Sequence, residues 1–442
     1  MEAEKLRKIA LNYYKRKSVQ NIIIEQAKNR EVVPVYLKKG EEKVSKEALI
    51  VGKRPDTIEY AADFLSYIEK GATSFHISEE LWKDPMKLSN IQTEQQMNEL
   101  RIGWDLIIDI DTPYFEYGKI AAMLVVEALH LHNIENFGIK FSGRKGWHIG
   151  IAFEAFPKKI QNIEIKNFFP QGPRIVSSYI KEIIRKSLAE RILEISTLKE
   201  ISASTGKSIE ELTRGKAFDP YAVLEIDTVL IAPRHLYRAA YSLNEMSGLV
   251  SCVIKPEQLK VFRMSWAFPQ DVLVRPFLKT PDENEAAQLL LQALDWNTRQ
   301  KEKIEKQAEK EIRKEREILK NIKIYDLKEE ILPPCMKKII EGMKYDGRKR
   351  ALFLLITFSR ALGINHEELC KTIEEWNKKN YKPLRESYIK SQLSWFKKQE
   401  IRAPPNCIQD YYKDLNICEP DELCRKIKNP LTYSLKKLVR KR

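Results

Sequence analysis

Long apolar runs are missing from this 442-residue sequence. No stretch approaches the roughly 18 apolar residues that a membrane span needs, so no integral membrane segment is expected. The opening residues, MEAEKLRKIALNYYKRK, have a charged amphipathic helix pattern and lack the apolar core of a signal peptide, which leads us to expect a cytoplasmic protein. Cysteine is scarce and uneven: there are six, and only Cys252 lies in the first 300 residues. Close pairs of the C-x2-C kind, the usual mark of a zinc ribbon, are absent. From Arg299 to Asn321 there is no glycine or proline and almost no apolar face, and the missing a/d heptads argue against a coiled coil. Internal repeats are also absent.

What is present is a soluble globular composition, 43% hydrophobic and 31% charged, with a net charge of +15 from 77 Lys and Arg against 62 Asp and Glu. That balance favours a polyanionic partner such as nucleic acid. The length allows two or three domains. Residues 1–298 alternate helix and strand patterns. DTIEYAADFLSYIEKG, GKIAAMLVVEALHLHN and SSYIKEIIRKSLAERILEI have helical spacing, whereas WDLIIDID, FGIKFSG, GWHIGIAF and AVLEIDTVLI read as strands. Such an order predicts an α+β or α/β catalytic domain. Residues 299–326 read as a charged helical linker, with Glu302–Lys306 and Glu309–Arg313 in the i, i+4 order that supports a solvated helix. Residues 327–442 form a second domain, helical over RALFLLITFSRALGI and HEELCKTIEEW and ending in a basic tail.

The sequence asks its central question at GWDLIIDIDTPY. Asp109 and Asp111 sit two apart in an apolar strand, so they share one face and repel each other. A divalent cation removes that repulsion, and carboxylate-bound metal pairs assist phosphoryl transfer. A lone pair of this kind more often caps a loop or meets basic neighbours. A third acid in an apolar strand, Asp227 in VLEIDTVLI, shifts the balance towards metal, with Glu225 a weaker candidate. Between them, KFSGRKGWH gathers Ser142, Arg144, Lys145 and His148 around two glycines, a set of donors suited to phosphate oxygens. Taken alone, such a pattern is more often an ordinary basic hairpin turn, and it gains weight from following the carboxylate pair by about thirty residues. His235 and Arg238, just beyond Asp227, are within reach of the same phosphates, or else belong to a surface with its own salt bridges.

Together, DLIIDID, SGRKGWH and IDTVLIAPRHLYRAAYSLNEMSG resemble, in order, the three motifs of the archaeo-eukaryotic primase superfamily, and specifically its archaeal small catalytic subunit. NREVV, GATSFHISEELW, RIGWD and IAFEAFP extend the likeness over most of residues 1–295. The resemblance implies that Asp109, Asp111 and Asp227 carry Mg²⁺ or Mn²⁺. It also implies that Ser142, Arg144, Lys145, His148, His235 and Arg238 hold the triphosphate and sugar of the incoming nucleotide. The sequence departs from the family at Asn244, where His is usual, and at Lys145, where Arg is frequent. No Cys/His cluster lies near these motifs, so no zinc is expected in residues 1–298.

Cys335, Cys407, Cys418 and Cys424 follow a Cys-x71-Cys-x10-Cys-x5-Cys order, which by itself leaves zinc, a [4Fe–4S] cluster and buried unligated thiols all open. LPPC, APPNC, NIC and ELCRKIKNPLTY resemble the C-terminal iron–sulfur domain of the archaeal primase large subunit, and DGRKRALFLLITFSRALGI resembles its helical segment. The resemblance implies a [4Fe–4S] cluster on these four cysteines, with Arg348 contacting the initiating nucleotide or template, Lys349 and Arg350 as weaker candidates, and Cys370 as a packing residue. The chain thus resembles a fused primase that lacks the large subunit's N-terminal domain. The expected fold is α+β, a prim-type catalytic domain with mixed sheets and a helical subdomain, followed by a mostly α-helical iron–sulfur domain. The expected activity is de novo primer synthesis on single-stranded DNA for replication, using NTPs or dNTPs and giving a primer–template duplex. A working monomer is expected, open to contacts with replication proteins. Two other readings remain: a polymerase of the same fold that extends existing primers in repair or damage tolerance, and a non-catalytic single-stranded-DNA-binding protein.

Overall fold

A computed structural model describes residues 1–440 other than 161, 216, 229, 230, 321–328 and 409, and excludes the side chains of 304–320, 329, 439 and 440. Val229 and Leu230, the end of the linker at 321–326, the two charge pairs assigned to the linker and the last two residues of the basic tail therefore lie outside the described set. The chain divides into two compact units, Met1–Lys301 and Glu302–Arg442.

In the first unit, helices α1 (Ala3–Tyr13) and α2 (Lys17–Ala27) lead into strand β1 (Val32–Leu37). It pairs antiparallel with β2 (Leu49–Val51) and with β3 (Ala72–Ser78), which follows helix α3 (Ala61–Glu69). Strand β4 (Leu106–Asp111) opens a second sheet, followed by helix α4 (Phe115–Leu131) and the hairpin of β5 (Gly138–Phe141) and β6 (Trp147–Ile151). Two helices come next, α5 (Gln171–Ile195) and α6 (Leu198–Thr205). The short strands β7 (Glu225–Ile226), β8 (Leu236–Arg238) and β9 (Val253–Ile254) precede helix α7 (Ala287–Lys320). Strand β8 returns to the first sheet, giving the order β8-β3-β1-β2, and the second sheet runs β7-β4-β6-β5-β9.

Local sequence explains these elements. Leu106, Ile107, Ile108 and Ile110 are buried, so β4 is apolar on both faces except where its aspartates emerge. Helix α4 ends where Asn133 takes a left-handed φ of 59°. Helix α6 opens with a capping box in which Thr197 Oγ1 accepts from Glu200 N–H at 3.3 Å and Glu200 Oε2 accepts from Thr197 N–H at 2.7 Å.

Three expectations change. Mixed sheets were expected, yet every strand pairing among the described residues is antiparallel. Strands β4 and β5 run the same way, but β6 returns between them and pairs with both, so the crossover through α4 creates no parallel neighbour. The segment AVLEIDTVLI was expected to be a full strand, but among its described residues pairing covers only Glu225↔Asp111 and Ile226↔Ile110, because β7 meets just the last residues of β4. Asp227 lies beyond that pairing, tied to β4 by its N–H donating to Asp109 O at 3.0 Å. The charged helix was expected to start at 299, but α7 begins at Ala287, and its first turns bury Leu289, Leu290 and Ala293 in the core of the first unit.

The described part of the second unit is helical. It contains α8 (Pro334–Ile340), α9 (Arg348–Ala361), α10 (His366–Lys379), α11 (Glu386–Lys398) and α12 (Pro430–Arg440). Leu352, Leu354, Leu355, Ile356 and Phe358 bury α9 on most of its circumference, as its apolar sequence requires. Trp376 Nε1–H donates to Ile339 O at 2.7 Å and ties α10 to α8.

Candidate functional site

The three aspartates meet where β7 and β4 pair. Alternation along β4 leaves Ile108 and Ile110 buried while Asp109 and Asp111 face outward. Asp109 keeps 38% of its side-chain surface accessible. Even so, the protein packed around it, then Asp111, Asp227 and Glu79, push its carboxyl up to about 7, against a smaller opposing pull from Lys140. Among the described residues, no three His, Cys, Asp or Glu side chains converge as ligands on one metal ion. The aspartates are neighbours through the backbone, and their mutual repulsion is what a divalent cation would relieve, so the donor set fits hard cations with oxygen ligands.

The basic turn lies against them. Asp109 pairs across the sheet with His148, and His148 Nε2 sits 3.5 Å from Asp109 Oδ1. Ser142 Oγ accepts from Gly146 N–H at 3.1 Å and closes the turn. A Cβ on Gly146 would come within 2.7 Å of Ile110 O and 3.3 Å of Asp111 Oδ1, so only glycine lets the turn approach the carboxylates this closely. Arg144 and Lys145 are exposed at the tip, and Lys145 Nζ donates to Pro113 O at 2.6 Å. Asn244, the departure from the family pattern, holds the neighbouring turn: its Oδ1 accepts from Met246 N–H at 3.0 Å and Ser247 N–H at 3.3 Å.

The first sheet supplies the other wall. His235 Nδ1 lies 2.9 Å from Glu79 Oε1, while Glu79 Oε2 is buried with no hydrogen-bond partner among the described residues. Burial opposes the charge on His235, but Glu79, Asp227 and Asp109 outweigh it and raise its pKa. Arg238 Nη2 donates to Glu245 Oε2 at 2.8 Å and its Nη1 to Leu243 O at 2.6 Å. Burial opposes the charge on Glu245, yet Arg238 and His76 hold its carboxyl far below the usual range. Lys140 is fully buried, donates to Ser251 Oγ at 3.0 Å, and is pushed down to about 7 by burial. His148 is lowered by burial and then by Lys140 and Arg238, so it stays neutral.

The expected nucleotide-binding set is therefore divided. Arg144 and Lys145 are exposed on one side of the carboxylates, and His235 is partly open on the other. His148 is buried, and Arg238, 13% exposed, is engaged by Glu245. Glu79, Lys140, His76 and Glu245 escaped the sequence reading. The paired acids of HISEE were its one visible signal: Glu80 turns to Arg101 Nε at 2.8 Å, while Glu79 turns to the site.

In the second unit, four thiols come from four separate segments. Cys335, on α8, is raised to about 12 by burial, then by Cys407, Cys424 and Cys418. Cys424 is raised to about 11, chiefly by burial, and Cys407 is raised by burial and by Cys418. Groups that act on one another in this way are neighbours. Thiolate is a donor that both zinc and a [4Fe–4S] cluster take, so the thiol set fits either, while among the described residues no three such side chains converge on one metal ion. Cys370 stands apart on α10, half-buried, its Sγ 3.8 Å from His366 Nε2. Arg348 opens α9 with its guanidinium 4.6 Å from the Tyr381 ring centre and its Nε buried without a partner. Lys349 stacks on Tyr388 at 5.2 Å, and Arg350 pairs with Asp414 at 3.2 Å.

No family model matches the chain. It is 24% identical over 287 residues to an uncharacterized protein of Methanocaldococcus jannaschii, covering 62% of this chain and 62% of that protein. It is 27% identical over 183 residues to the DNA primase large subunit PriL of Thermococcus kodakarensis, covering 32% of this chain and 44% of that protein. The chain thus spans less than two thirds of either relative. Among solved structures, the polymerase domain of Mycobacterium tuberculosis ligase D in complex with DNA aligns with a TM-score of 0.35 and 13% identity, over 57% of this chain and 82% of that one.

Proposed function

We propose that this chain is a single-chain primase, a template-directed nucleotidyltransferase that starts primers on single-stranded DNA. One observation carries the reading: Asp109 and Asp111 on one strand and Asp227 at the end of the strand paired with it, with Asp109 raised to about 7 by burial and then by Asp111 and Asp227, lie beside an exposed basic turn. The relation to an archaeal primase large subunit supports it.

In the proposed reaction, the 3′-hydroxyl oxygen of the first nucleotide bonds to the α-phosphorus of the second. The bond from that phosphorus to the bridging oxygen of the β-phosphate breaks, pyrophosphate leaves, and the hydroxyl proton passes to solvent. Asp109, Asp111 and Asp227 would hold Mg²⁺ or Mn²⁺. When bound, such ions supply positive charge at the attacking and leaving oxygens. Ser142 fixes the turn that aims Arg144 and Lys145 at phosphate oxygens, and the Glu79 carboxylate keeps His235 turned towards the carboxylates. Lys140 is held by Ser251 and Arg238 by Glu245 and Leu243 O behind the site. In the second unit, Cys335, Cys407, Cys418 and Cys424 would carry a [4Fe–4S] cluster, with Arg348 as the contact to the initiating nucleotide or template.

The test is de novo synthesis by protein purified without oxygen, supplied with unprimed single-stranded DNA, labelled nucleotides and Mg²⁺ or Mn²⁺. Short products are expected. The Asp109→Asn variant should lower the rate by at least about 100-fold, since removing a metal ligand costs several kcal/mol of transition-state stabilisation, while fold and DNA binding persist. Wild-type-like synthesis by the variant would overturn the metal assignment. Extension of supplied primers without initiation would favour the polymerase reading.

A further inference from the structure

A cleft of about 620 Å³ opens beside Asp111, on the β7 edge of the second sheet. Its cations come from two parts of the chain. Arg144 and Lys145 belong to the basic turn, whereas Lys181 on α5 and Lys207 just after α6 belong to the helical segment between β6 and β7. Two acids, Asp111 and Glu225, face these four cations across the cleft.

The cations are held in place yet remain able to bind. Lys145 Nζ donates to Pro113 O at 2.6 Å, Lys207 Nζ to Ala222 O at 2.7 Å and Lys181 Nζ to Ile226 O at 3.3 Å. Each ammonium has three protons, so each retains two for a further acceptor. Arg144 has no partner among the described residues. The Lys181 ammonium also lies over the Tyr221 ring at 4.7 Å, which limits its freedom. Two other cations near the carboxylates are less available: Arg238 is paired with Glu245 and bonded to Leu243 O, and Lys140, bonded to Ser251, is fully buried and out of reach of an incoming anion.

We propose that this cleft binds the polyphosphate of the incoming nucleoside triphosphate, and the pyrophosphate formed from it, with Lys181 and Lys207 as phosphate contacts alongside Arg144 and Lys145. This assignment rests on the nucleotidyl-transfer reading above. Its physical basis is that a polyphosphate is the substrate part carrying most negative charge, and this cleft is where unsatisfied positive charge adjoins the carboxylates. Charge-assisted hydrogen bonds from Lys181 and Lys207 would then act on the substrate from the helical segment, while the turn acts from the sheet.

The test is calorimetric titration of the full chain with inorganic tripolyphosphate in Mg²⁺, followed by nucleotide kinetics. Lys207→Gln and Lys181→Gln should each weaken tripolyphosphate binding about tenfold and raise the KM for nucleotide by a similar factor, as loss of one charged hydrogen bond predicts. Lys207 is exposed, so its substitution leaves the fold intact, as circular dichroism would verify. Lys186→Gln, on α5 with Lys181 and with 88% of its side chain exposed, removes the same charge and should change neither quantity. Binding of a single-stranded oligonucleotide should be unchanged in all three variants. Tripolyphosphate affinities within twofold of wild type, or no tripolyphosphate binding by wild type, would overturn the assignment. So would a selective loss of oligonucleotide binding, which would make the cleft a strand contact. Lysine-dependent tripolyphosphate binding without nucleotide incorporation by wild type would instead sink the transferase reading and leave the cleft standing.

Discussion

With its carboxyl raised to about 7, Asp109 is about half protonated near neutral pH in the cation-free chain. The sign of the linkage follows. An acid whose folded pKa is raised favours its protonated form, so the cation-free fold loses stability as pH rises from about 4 towards 7. A divalent cation reverses this by binding the ionised form. Mn²⁺ affinity should therefore rise between pH 6 and 8, with a fraction of a proton released per ion at pH 7. Calorimetry in two buffers of different ionisation enthalpy measures that release, and none at pH 7 would refute the shift. Asp109 and Asp111 were legible in the sequence because strand alternation is local and an acid in an apolar run stands out. Glu79 was not, because its partner His235 lies 156 residues away and meets it only through the pairing of β8 with β3. Lys181 and Lys207 were hidden for another reason: a lysine on a helical segment has the same sequence pattern whether it faces solvent or a cleft.

At the scale of elements, the β5–β6 hairpin fixes the distance between the basic turn and the carboxylates. Gly138, at the start of β5, is a point of close approach: a Cβ there would stand 1.8 Å from the carbonyl oxygen of Phe277. Backbone cannot swing aside as a side chain can. Gly138→Ala should therefore destabilise the first unit by about 2 kcal/mol or more, visible as a lowered melting temperature. An unchanged melt would show that the segment around Phe277 yields freely. The helices and the strands of the second sheet were readable from apolar period, but the extent of β7 was not. Apolar residues continue past Ile226, and only the end of β4 decides where pairing stops. The start of α7 was missed because the sequence changes composition at 299 while the helix does not. Leu289, Leu290 and Ala293 enter the core of the first unit before the composition changes.

At the scale of the whole molecule, two units carry two kinds of donor, carboxylate oxygen in the first and thiol sulfur in the second. Full-length chain purified without oxygen should contain about four iron atoms, falling sharply in Cys418→Ser, while residues 1–298 should hold no zinc. One zinc per chain and no iron would overturn the cluster. A spacing of 71, 10 and 5 residues leaves zinc, a cluster and unligated thiols open, and in the folded unit burial, then the other three thiols, raises Cys335. The order of the second sheet has a further consequence, in time. During synthesis, Asp109 and Asp111 emerge more than a hundred residues before Asp227. At ribosomal speed that is on the order of ten seconds, long enough for β4, β5 and β6 to close around an incomplete set of acids. The chain can thus build its central sheet before the edge strand β7 arrives, and Asp227, just beyond β7, is the last of the three acids to join it.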